Sequence, residues 1–208
     1  NAAGDKFVQT GRPSNPPLGA TLQVVTAGTN KADIVYEDKT RNVMAPSWTP
    51  AGDRILFGLG TYNLFFNGLN GLLLKNGDRI EGGAQIAIVN ADGTGFHEVT
   101  SGVNNNGFPS MAPDGKRFVY RSFGPDGEGL RVMDLESKAV TTLTEGYDNF
   151  PLWSPRGDLI MFSRQAQGDY EIYTVKPDGT GVKRLTFSKG NDAHMSWSPD
   201  GEFIVWAS

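Results

Sequence analysis

Apolar residues in this chain fall in short runs, each closed within a few residues by Gly, Pro, Asn or Asp. Ile55-Leu56-Phe57, Phe118-Val119-Tyr120 and Ile160-Met161-Phe162 are near-continuous, whereas Glu171-Ile172-Tyr173-Thr174-Val175 alternates. Runs of this length, rich in β-branched and aromatic residues and bounded by turn formers, predict β-strands joined by tight turns. No apolar run approaches the ~18–20 residues of a membrane-spanning helix.

The runs repeat. Pro46-Ser-Trp-Thr-Pro-Ala-Gly-Asp-Arg-Ile-Leu-Phe57 aligns with Pro109-Ser-Met-Ala-Pro-Asp-Gly-Lys-Arg-Phe-Val-Tyr120. Pro151-Leu-Trp-Ser-Pro-Arg-Gly-Asp-Leu-Ile-Met-Phe162 and Met195-Ser-Trp-Ser-Pro-Asp-Gly-Glu-Phe-Ile-Val-Trp206 are further copies. The anchors Trp48, Met111, Trp153 and Trp197 are 63, 42 and 44 residues apart. The last two spacings match the repeat of a four-stranded propeller blade. In each copy Pro presets φ, Asp accepts local backbone hydrogen bonds, and Gly takes the left-handed position, which makes a hairpin turn. A second hairpin follows in residues 85–100, 130–144 and 171–186, ending in Val-Thr or Leu-Thr. The recurring tryptophans read as wedges in the core.

Trp-Ser-Pro-Asp-Gly, a downstream Asp-Gly-Thr-Gly and a closing Arg-Leu-Thr together resemble the blade signature of TolB-like β-propellers. Related blades occur in the propellers of prolyl-oligopeptidase-like and tricorn-type proteases. The resemblance implies an all-β β-propeller of four-stranded antiparallel blades, part of a six-bladed ring. Blades are expected at 44–100, 108–144 and 150–186, with partial blades at 21–37 and 194–208. Joining the partial blades would instead close a four-bladed ring. The resemblance also implies a periplasmic or secreted protein, and the Asn1 start without an initiator Met reads as processed.

Composition narrows the function. Hydrophobic residues at 38% suffice for a core, and charged residues at 20% are too few for a disordered chain. A net charge of −4 with no basic run lacks the electrostatic footprint of a nucleic-acid partner. The absence of cysteine removes disulfides, thiolate metal sites and a cysteine nucleophile. No nucleophile elbow, phosphate-cradling loop or zinc-protease helix motif is present.

Propeller geometry sends the inter-blade loops to one face, around the central funnel. Those loops carry Asn105, Asn106, Tyr147, Asn149 and Asn191, with Arg121 and Arg164 expected nearby at equivalent strand positions. These are candidate ligand contacts, although Asn and Asp also serve simply to cap turns. Asp148, Asp192 and His194 are candidate ligands for Ca²⁺ or another divalent metal. The long first spacing reflects an apolar insertion at 58–84. Its Tyr62, Phe65, Phe66 and Leu69 are candidates for a partner surface or self-association, against an extra hairpin packed on its own blade.

Three functions are compatible with this sequence. The first is a non-catalytic module binding a protein, peptide or glycan at the Asn/Asp-lined face. The second is a metal-dependent lyase or hydrolase using the funnel. The third is the gating propeller of a larger protease.

Overall fold

The computed structural model describes residues 1, 3–11, 20–29, 31–60 and 83–208. The expected partner residues Tyr62, Phe65, Phe66 and Leu69 lie outside them. Among the described residues every regular element is a strand, and every pairing is antiparallel where its register is resolved. Two compact units emerge: Asn1–Pro109 with Phe123–Asp126, and Ser110–Ser122 with Gly127–Ser208.

In the first unit, β1 (Lys6–Gly11), β2 (Ala20–Thr26) and β3 (Ala32–Asp38) form a sheet in that order. The sequence predicts only the last two of these strands; β1 adds a third, its Phe7 opposite Val25 and its Val8 opposite Val24. Next come β4 (Asn42–Trp48), β5 (Arg54–Gly60), β6 (Gln85–Asn90) and β7 (His97–Glu98), again in chain order. β5 extends further than expected. Gly58 and Leu59 lie opposite Ile86 and Gln85, so the first residues assigned to the insertion are strand. Leu22, Ile55, Phe57 and Leu59 form the core, with Trp48 packed against it.

The third sheet comprises β8 (Asn105–Met111), β9 (Arg117–Phe123), β10 (Gly129–Asp134) and β11 (Val140–Thr142). In the second unit follow β12 (Asp148–Trp153), β13 (Ile160–Ala166), β14 (Asp169–Val175) and β15 (Lys183–Arg184). A two-stranded sheet of β16 (Ala193–Trp197) and β17 (Ile204–Ala207) ends the chain's elements. Trp153 is buried with Val119, Leu130, Ile160 and Phe162, and Trp197 packs beside Met161, Ile172 and Met195.

The first hairpin turn of each copy closes as its sequence dictates. Around Gly157, Ser154 N donates to Leu159 O at 2.8 Å and Gly157 N donates to Ser154 O at 3.0 Å. Gly157 sits at φ 76°, a conformation open to Gly at little steric cost. The same pair of bonds recurs about Gly52, Gly115 and Gly201.

Two further devices recur that the sequence does not announce. The first is a left-handed residue in the opening strand of each copy: Ala45, Phe108, Phe150 and His194 have φ of 48°, 54°, 53° and 52°. In three of those strands the register slips there, between Met44 and Ser47, Asn149 and Leu152, and Ala193 and Ser196. This is a β-bulge, and proline, which cannot donate to a ladder, follows it as Pro46, Pro109 and Pro151. The second device is the closing threonine. Thr100, Thr144 and Thr186 accept hydrogen bonds from the backbone N–H of Ile86, Leu130 and Ile172 at 2.8, 3.1 and 2.9 Å. Each hydroxyl then donates to an acidic or amide oxygen: Gln85 Oε1, Asp148 Oδ2 and Glu171 Oε2. The outermost strand is thereby tied to the third strand through a side chain.

Candidate functional site

In the second unit the loops before β12 and β16 bring polar and aromatic groups around one buried cation. Arg121, on β9, is only 1% exposed, and its Nη1 donates to Asn149 Oδ1 at 3.1 Å. Burial pulls its pKa down to about 10, partly offset by the phenolic groups of Tyr147 and Tyr170, so it stays charged at neutral pH. The two tyrosine rings lie 6.3 Å apart. Burial, followed by the neighbouring Tyr147, pushes the Tyr170 phenol up to about 12, which keeps it a neutral donor. Asn191 fixes the loop by accepting from Tyr170 N at 2.9 Å, and its residue is otherwise exposed. Tyr170, near the start of β14, lies in no sequence motif, and only its partners reveal it.

Arg121 and Arg164 are not equivalent. Arg121 lies opposite Leu130, the same register as Ser163 opposite Ile172, whereas Arg164 lies opposite Glu171. One residue of offset puts the two side chains on opposite faces of their sheets, because strand side chains alternate. Arg164 instead grips fully buried Asp148 with Nε and Nη2 at 2.7 and 2.8 Å. Thr144 Oγ1 donates to the same carboxylate at 2.5 Å. The guanidinium also rests over the rings of Phe162 and Tyr173, at 5.1 and 5.4 Å. This fork-to-carboxylate pair raises the Arg164 pKa, the hydrogen bonds it donates to Asp148 being the largest cause.

The three residues expected to bind metal do not converge. Asp148 is engaged by Arg164, and exposed His194 has its ring 5.3 Å from Phe150. Asp192 is fully buried, its Oδ2 accepting from Ser188 Oγ at 2.8 Å. Among the described residues no group of three or more His, Asp or Glu side chains is arranged to hold a metal ion. The repeat explains this: Asp148 and Asp192 occupy the same position in successive copies, so the blade spacing separates them.

In the first unit Asn105 and Asn106 are buried. Asn106 Nδ2 donates to Gln85 Oε1 at 3.0 Å, and Gln85 Nε2 reaches Asn104 O at 3.2 Å. The Asn106 amide thus ties the start of β8 to the start of β6.

Comparison with known proteins agrees with the blade architecture. Residues 72–208 match the family model described as the TolB beta propeller domain. A protein named as a TolB homolog from Chlorobium luteolum is 35% identical over 118 residues, covering 56% of this chain and 27% of that relative. An uncharacterized protein of Agrobacterium fabrum is 27% identical over 221 residues, covering 92% of this chain and 74% of that relative. Among solved structures, TolB from Acinetobacter baumannii superposes with a TM-score of 0.71 at 23% identity, over 90% of this chain and 42% of that one. The chain therefore spans less than half the length of both TolB proteins. With the family model covering well over half of its residues and the blades built as described, this chain belongs to the TolB β-propeller family.

Proposed function

We infer that this chain is a protein-binding propeller module whose contact surface is the loop face of the second unit, formed by Arg121, Tyr147, Asn149, Tyr170 and Asn191. One observation carries the reading: a fully buried arginine held by Asn149 and bordered by two partly exposed tyrosines. Rigid aromatics beside a desolvated cation have the composition of a binding hot spot. Relatives named as TolB homologs, one of them as a Tol-Pal system protein, support a periplasmic setting and a protein partner from such a system. Six blades in the complete ring fit the same kinship.

Titration of the purified Pal component from the same organism, followed by calorimetry, tests this reading. Saturable binding is expected, weakened about tenfold or more by Tyr147→Ala, as for truncation of an interface aromatic. Absence of binding, or an unchanged Kd in a folded Tyr147→Ala protein, would overturn it.

A further inference from the structure

The Asp148–Arg164 latch and two residues of the loop face share one stretch of chain. Tyr147, Asp148 and Asn149 are consecutive, and Asp148 and Asn149 open β12 opposite Arg164 and Ser163 of β13. Side chains alternate along a strand, so Asp148 points to one face of the sheet and Asn149 to the other. There Asn149 Oδ1 accepts from Arg121 Nη1 at 3.1 Å. Tyr147, on the other side of Asp148 in the chain, has its ring 6.3 Å from that of Tyr170.

Whatever holds Asp148 therefore sets where both of its neighbours stand. Its fully buried carboxylate accepts from Arg164 Nε and Nη2 at 2.7 and 2.8 Å and from Thr144 Oγ1 at 2.5 Å. Its backbone N–H donates to Gly146 O at 2.9 Å, which closes the loop just before it. The guanidinium is itself fixed, lying over the rings of Phe162 and Tyr173. Without it Asp148 is a buried carboxylate stripped of its countercharge, a costly state. The carboxylate regains solvation only if its loop lifts, and that lift carries Tyr147 from Tyr170 and Asn149 from Arg121.

We propose that Arg164 is a positioning residue for partner binding, acting through Asp148 to hold Tyr147 and Asn149 in the arrangement that the partner meets. Side chains already in place spare the partner the cost of ordering them. This deepens the binding-module reading and rests on it.

The test uses Arg164→Met, which keeps an apolar stem over the rings and removes the fork. The Asn149 side-chain amide resonances are followed in the free protein, and the Pal component is then titrated. The Asn149 signals are expected to move and the Kd to rise about fivefold or more. Arg164→Lys, which restores a cation, is expected to recover part of both. Thr144→Val separates positioning from direct contact, since Thr144 is buried and loosens the same carboxylate from within. A weaker Kd there as well is expected, and an unchanged one overturns the proposal. Unmoved Asn149 signals in a folded Arg164→Met protein also overturn it, whatever the Pal component does. If Arg164→Met does not fold, Arg164→Lys and Thr144→Val carry the same comparison. A Pal component that does not bind the unmodified chain sinks the binding-module reading instead, and the Asn149 signals still decide whether Arg164 sets this loop.

Discussion

At the scale of single residues, the closing threonines do more than end a strand. Thr144 accepts from the buried Leu130 N–H and donates to Asp148, the carboxylate that Arg164 also grips. Valine has nearly the same shape and neither function. Thr144→Val is expected to lower unfolding stability by about 1–3 kcal/mol, the cost of leaving a buried polar group unsatisfied. Urea denaturation measures it, and a change smaller than ~0.5 kcal/mol, typical of a neutral surface substitution, would mean that water replaces the hydroxyl. The Leu-Thr ending was visible in the sequence, yet its role was not, because the backbone N–H that the hydroxyl accepts from lies 14 residues back in the chain and across the sheet. The Arg121 and Arg164 misassignment has a similar origin. Both arginines stand near the end of a second strand, but only the ladder register reveals the single-residue offset that separates a buried cation from a latch.

At the scale of the element, the turns were legible and the bulges were not. Pro, Asp and Gly each restrict or permit a particular φ, so the hairpin turns could be read directly from the copies. The left-handed positions are filled by Ala45, Phe108, Phe150 and His194, four residues with no shared chemistry, and their only common mark is the proline that follows three of them. A non-glycine residue there carries strain of about 1–2 kcal/mol, offset by the packing that the bulge allows. Ala45 tests this most cleanly, having only a methyl group to lose. Ala45→Gly is expected to be neutral or to stabilise by up to about 1 kcal/mol, strain relief opposing the greater freedom of the unfolded chain. Ala45→Val is expected to destabilise by about 1–3 kcal/mol, a β-branched side chain being the least tolerated at this φ. Thermal and urea unfolding of the pair provide the check, and the reverse order would show that the bulge is unstrained.

At the scale of the whole molecule, stability is unevenly distributed from the inner to the outer strands of a sheet. β12–β15 form four strands with Ile160, Phe162 and Val175 buried, and Arg164 binds β13 to β12 through Asp148. β15 is only Lys183–Arg184, paired with β14 alone, and Lys183 is exposed. Local opening of this sheet should therefore begin at β15, with an opening free energy well below that of β13. Native-state hydrogen exchange is expected to show the Lys183 and Arg184 amides exchanging at least about tenfold faster than those of Ile160–Ser163. If they exchange alike, the closing Thr186, which accepts from Ile172 N on β14, fastens the edge as firmly as the ladder fastens the centre.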